Sequence, residues 1–202
     1  MPAKRRAAVG ALWRLDAALG NALSGGREPL ISQIKLAWWR EALEKLDREK
    51  APAEPALRAV AEHVLPLGVS GAELAEMEAP WALLLSPDPL SPEDLDSYAR
   101  RGALLFDYTA RLLGRSDDVA PAGERWALID LARNCANAAD ANAAVAAAAA
   151  RPGRAPWPSP LRPLGMLAVL DGRDLEPQRP HWEPHGSPGR MWRMLRHRFT
   201  GR

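Results

Sequence analysis

Cysteine is almost missing from this chain of 202 residues: Cys135 stands alone. That excludes an internal disulfide and any zinc site built on several cysteines, and it fits a reducing compartment. Tyrosine and phenylalanine are scarce as well, two of each, whereas tryptophan occurs eight times. Tryptophan is bulky and carries one N–H donor, so several are expected to line groove edges, with ordinary core packing as the expectation for any single one. No stretch approaches the roughly 20 apolar residues of a membrane-spanning helix. Arg14 and Asp16 interrupt the apolar run behind Lys4-Arg5-Arg6, so no secretory signal is expected either. With 27 basic against 25 acidic residues the formal charge is only +2, which argues against a nucleic-acid partner. The expected location is cytoplasmic, with contact at the inner membrane face as an option. Sustained period-two alternation, the signature of strands, is absent too. There is no glycine-rich phosphate loop, no nucleophile elbow, and no metal spacing among His63, His181, His185 and His197.

What remains is helical spacing throughout. Ala8, Leu12, Leu15, Leu19 and Leu23 form one stripe that Gly25-Gly26 should end, and Pro29 opens a second helix. A third is predicted over about 54–65. Ser70 and Glu73 have capping-box form ahead of a helix that Pro80 should kink or restart. Ser91-Pro92-Glu93-Asp94 is a strong start signal for a fifth helix closed by Gly114. A sixth, rich in alanine, is predicted as one piece over about 124–150. Ser159-Pro160 and Ser187-Pro188 announce a short helix and a terminal one. The expectation is an all-α bundle of six to eight helices, with a helical domain over 1–170, a linker over 171–186 and a basic amphipathic helix over 187–202.

The second helix carries a recognisable spelling. Arg27-Glu28-Pro29-Leu30, followed by Ile34-Lys35-Leu36-Ala37-Trp38-Trp39-Arg40-Glu41-Ala42-Leu43, resembles the squalene/phytoene synthase family, in which an "EP" pair precedes an "RLxWWRxxL" pattern. The segment from Leu95 to Gly114, with Tyr98, Arg101-Gly102 and Leu112-Leu113-Gly114, is similar to the family's "LxxYxxRxxG…LL" helix. The resemblance covers about Ala8 to Ala150. It implies a shortened bundle of the isoprenoid synthase type, whose members join two prenyl diphosphates in isoprenoid, carotenoid and hopanoid biosynthesis. Their chemistry requires paired D-x-x-x-D motifs on facing helices. Acids four apart share a helix face, and Mg²⁺ needs several hard oxygen ligands to hold a diphosphate.

Those pairs are missing here. Asp16 is followed four residues on by Gly20, and Ala18 stands where many relatives carry an acid. Asp130 is followed by Asn134, while Asp140 has Ala136 and Ala144 as its helical neighbours. The expectation is therefore a pseudo-enzyme without catalytic residues, metal ligands or a cofactor, which binds a prenyl-like lipid or a partner protein in an assembly or scaffold role. The alternative is an active Mg²⁺-dependent prenyltransferase. The candidate ligand-binding residues are Asp16, Lys35, Trp38, Arg40, Asp130 and Asn134. Lys35 and Arg40 are placed to take a phosphate, or else to exchange salt bridges with Glu41 and Glu44. Of Trp38 and Trp39, only one can point fully inward. The arginine-rich C-terminal segment from Arg190 to Phe199 has the form of a helix that lies on anionic lipid or fits a partner's groove.

Overall fold

Helices in this chain begin where a proline or a capping side chain stands. The computed structural model describes residues 2–24, 28–153, 156–175 and 182–201. Within them every regular element is helical, comprising ten α-helices and three short 3-10 turns. Gly25-Gly26, expected to end the first helix, lies outside the described residues, as does His181. No described helix is long and apolar enough to cross a membrane. The chain divides into two compact units, one of Met1–Asp88 with Asp107–Asp117, the other of Pro89–Phe106 with Asp118–Arg202.

The first unit contains α1 (Ala3–Ser24), α2 (Pro29–Lys45), α3 (Pro55–His63) and the short α4 (Gly71–Ala75) and α5 (Ala79–Ala82). The predicted stripe of α1 is its buried face: Ala8, Leu12, Leu15 and Leu19 are fully enclosed, and α3 packs on α1 with Leu57 and Val60. Asp47 fastens α4 to the end of α2, accepting from Gly71 N at 2.6 Å and Ala72 N at 2.9 Å. Position 71 must be glycine for this approach, because a Cβ there would collide with the Leu43 carbonyl. Pro80 restarts the chain as the separate α5, so the restart rather than the kink is what occurs.

Ser70 and Glu73 form the predicted capping box, with Glu73 N donating to Ser70 Oγ and Ser70 N donating to Glu73 Oε2. Arg111 adds a charged donor at 2.7 Å. These bonds, Arg111 first and the Ser70 backbone second, pull the Glu73 carboxyl down to about 2. A lowered carboxylate stabilises the fold above its ordinary value of 4.5, and that contribution fades as the pH falls toward 2. The side chain is 36% exposed, so screening keeps the effect modest. Glu73→Ala is expected to lower stability by about 1 kcal/mol at pH 7. Its melting temperature should also lose less than the parent's between pH 5 and about 2. Equal acid sensitivity in both proteins would refute this assignment.

Both units share α6 (Pro92–Leu112), which Ser91 caps as its spelling predicts, with Asp94 N donating to Ser91 Oγ at 3.1 Å. Gly114 ends it in the left-handed region at φ +72. The second unit adds α7 (Ala120–Asn134), α8 (Ala138–Ala149), α9 (Arg162–Asp174) and α10 (Pro188–Thr200). The single sixth helix expected over 124–150 is thus two. Cys135 is extended, and Asn137 turns its side chain back to accept from Ala139 N at 2.8 Å, starting α8 afresh. An asparagine competes with the backbone for such bonds, and alanine propensity on either side does not override it. The expected linker also starts later than 171, since α9 stays helical through Asp174. Asp174 holds that end in place by binding Arg190 of α10 and, at 3.3 Å, Arg133 of α7. α10 packs on α9, where Gly165 lets His197 approach, and Arg162 donates to the final carbonyls of α10, Arg198 O at 3.0 Å and Phe199 O at 3.1 Å.

Candidate functional site

On α1 the candidate ligand-binding acid is buried and engaged. Asp16 is only 4% exposed, and Trp81 Nε1 on α5 donates to its Oδ1 at 3.2 Å. The position four residues on, where a second acid would stand, is Gly20. A Cβ there would come within 2.8 Å of Trp81 Cη2. The indole therefore occupies the room that a paired carboxylate would need. One carboxylate with a neutral donor against it does not make a divalent-cation site, which requires several converging oxygens.

On α2 the two tryptophans part company, as only one side of the helix faces the core. Trp39 is 8% exposed and Trp38 45%, with their rings edge to face at 5.4 Å between centroids. Trp38 continues an exposed apolar stripe through Leu30, Ile31 and Ile34. Lys35 and Arg40 are exposed on the same helix. Burial raises the nearby Glu78 carboxyl, and the charge of Arg40 partly opposes that rise. Glu41 pairs with Lys45 at 2.5 Å.

In the second unit Asp130 meets a guanidinium instead of a partner acid. Arg101, reaching from α6 and 4% exposed, donates through Nη1 to Asp130 Oδ2 at 2.7 Å and to the Tyr98 hydroxyl at 2.9 Å. The rings of Trp126 and Tyr98 flank it at 5.0 and 5.6 Å. Asn134 turns its amide N–H inward, to Asp130 O at 2.8 Å and Oδ1 at 3.3 Å, so it offers Asp130 a donor and not a further metal oxygen. Asp140 is engaged as well, accepting from Leu90 N at 3.1 Å. Placing a cation against Asp130 would require breaking a close, largely buried ion pair and setting two positive charges together. The residues present do not fit the family's Mg²⁺. Among the described residues, no three His, Cys, Asp or Glu side chains gather as a metal would need.

The structure thus brings Asp130 and Asn134 together on α7 and sets Lys35, Trp38 and Arg40 along α2. It adds two residues to which sequence reasoning assigned no role, Trp81 and Arg101. A signal for the second was available, because Tyr98 and Arg101 lie three apart and share a face of α6. Nothing local announces that Trp81 fills the space beside Gly20.

A family model for squalene/phytoene synthase matches residues 1–159. Comparison with curated proteins and with solved structures returns no match. The all-helical architecture agrees with the isoprenoid synthase fold class. With the match extending over well more than half of its length, this chain belongs to the squalene/phytoene synthase family.

Proposed function

We propose that this family member acts by binding rather than by turnover. The observation that carries the reading is the state of the surviving motif acids: Asp16 is taken by Trp81, and Asp130 is taken by Arg101. A diphosphate leaving group needs its charge neutralised by metal, and each carboxylate that would recruit the metal is already bonded inside the protein.

The contact surface we assign to this binding is the outer face of α10. Met191, Trp192, Leu195 and Phe199 recur at helical spacing and are exposed, Trp192 by 69% and Phe199 by 73%. Arg196 and Arg198 are exposed beside them, while Arg190 and His197 anchor the inner face. An apolar stripe rimmed by cations suits an anionic lipid surface, where the side chains enter the head-group boundary and the arginines meet phosphates.

Two measurements test the two halves. Incubation with farnesyl or geranylgeranyl diphosphate and Mg²⁺ is expected to yield no condensed product, and turnover would end the non-catalytic reading. The full chain is expected to sediment with phosphatidylglycerol vesicles and not with phosphatidylcholine vesicles, less so at high salt. Trp192→Glu with Phe199→Glu should reduce the bound fraction about tenfold, because two large apolar anchors become charged. Unchanged sedimentation would move the binding role to a protein partner.

A further inference from the structure

The second unit contains a cavity of about 390 Å³ walled by α7, α9 and α10, large enough for a small organic molecule and not only a few waters. Its polar wall comes from Arg125, Asp171, Arg193 and His197, and its apolar wall includes Trp157 and Val169. The Arg125 guanidinium rests between two residues without side chains. A Cβ on Gly153 would stand 3.3 Å from Nη1, and one on Gly172 3.9 Å from Nη2. Arg125 Nε is buried with no hydrogen-bond partner among the described residues.

Asp171, across the same space, is 2% exposed, and its Oδ2 also has no hydrogen-bond partner among the described residues. Burial raises this carboxyl well above the usual range. Arg125 and Arg190 oppose the rise, and Asp174 and Asp130 add to it. Burial thus favours the uncharged form of this carboxyl. The neighbouring Asp174 is already held by Arg190 and Arg133. Arg125 thus brings to the cavity a positive charge and a buried N–H with no acceptor among the described residues. A buried donor left without an acceptor costs free energy, a charged one most of all. The planar fork of an arginine finds its best complement in a carboxylate or phosphate.

We propose that this cavity binds a small oxyanion, the phosphate or carboxylate head of a molecule whose apolar body packs on Trp157 and Val169, with Arg125 as its main anchor. Burial of Asp171 disfavours the charged carboxylate that would repel such a head group. Asp171, Arg193 and His197 all lie beyond residues 1–159, the span matched by the family, and the inference does not depend on the lipid contact assigned to α10.

Calorimetric titration of the full chain with phenyl phosphate, phenylacetate and benzylamine tests it. One of the two anions should bind one to one, and which one identifies the head group. Arg125→Gln should weaken that binding by about tenfold or more, as expected for loss of a charge-assisted contact. Gly172→Leu places a better helix former on α9 and fills the mouth of the cavity, so it should abolish binding without lowering the melting temperature. Binding of benzylamine in place of the anions, binding of none of the three, or anion binding untouched by either substitution would overturn the proposal.

Discussion

Gly102→Val is expected to cripple the second unit, lowering stability by about 3 kcal/mol or more, at the upper end of what overpacking costs. A Cβ at position 102 would strike the carbonyl oxygen of Gly123 on α7 and come within 2.5 Å of its carbon and 2.8 Å of Ala127 Cβ. A Cβ on Gly123 would strike the Gly102 carbonyl in return. Side chains can rotate away from an intruder, but two helix backbones in contact relax only by separating. For a chain of this length the loss corresponds to about 10 °C in melting temperature. Gly10 supplies the contrast. It also sits inside a helix, but a Cβ there would meet only Arg14 Nη1, at 3.5 Å. Gly10→Ala should therefore stabilise by about 0.5–1 kcal/mol, the entropy an unneeded glycine wastes. Thermal or urea denaturation of the two variants should move in opposite directions, and a Gly102→Val protein as stable as the parent would refute the close crossing.

Arg101→Met should cost about 3 kcal/mol, because it removes one partner of a close ion pair and leaves the Asp130 charge without its cation. The loss stays at the low end because the Asp130 side chain is 29% exposed and recovers some hydration. Asp130→Asn in the same chain should restore more than half of the loss, because the charge that lacked a partner is gone. A double-mutant cycle on denaturant midpoints isolates the coupling. If the losses of the two single variants simply add, Arg101 does not neutralise Asp130, and the strongest reason for excluding a cation from that acid disappears.

Much of the fold was legible in the residues. Ser70 with Glu73, and Ser91 with Asp94, state helix starts through groups within three residues of each other, and such bonds form without help from the rest of the chain. The stripe of α1 and the divergence of Trp38 and Trp39 follow from a 3.6-residue turn with one buried side. The break at Cys135 was less legible, since alanine propensity on both sides suggests continuity while one asparagine side chain interrupts it. Extension of α9 past residue 170 rests on Asp174 meeting Arg133 and Arg190, partners 41 and 16 positions away. No local pattern reports such a meeting.

The sequence by itself determined that the chain is helical, that it carries the family's tryptophan pair, and that its acids are too few to form two D-x-x-x-D clusters. Those facts depend on residue identity and on spacings of three or four, which a helix converts directly into shared faces. Only the tertiary structure decided what became of the acids that remain. Trp81 stands 65 positions from Asp16, and Arg101 stands 29 from Asp130. Whether a carboxylate is free to take a cation depends on which distant donor the packing delivers to it.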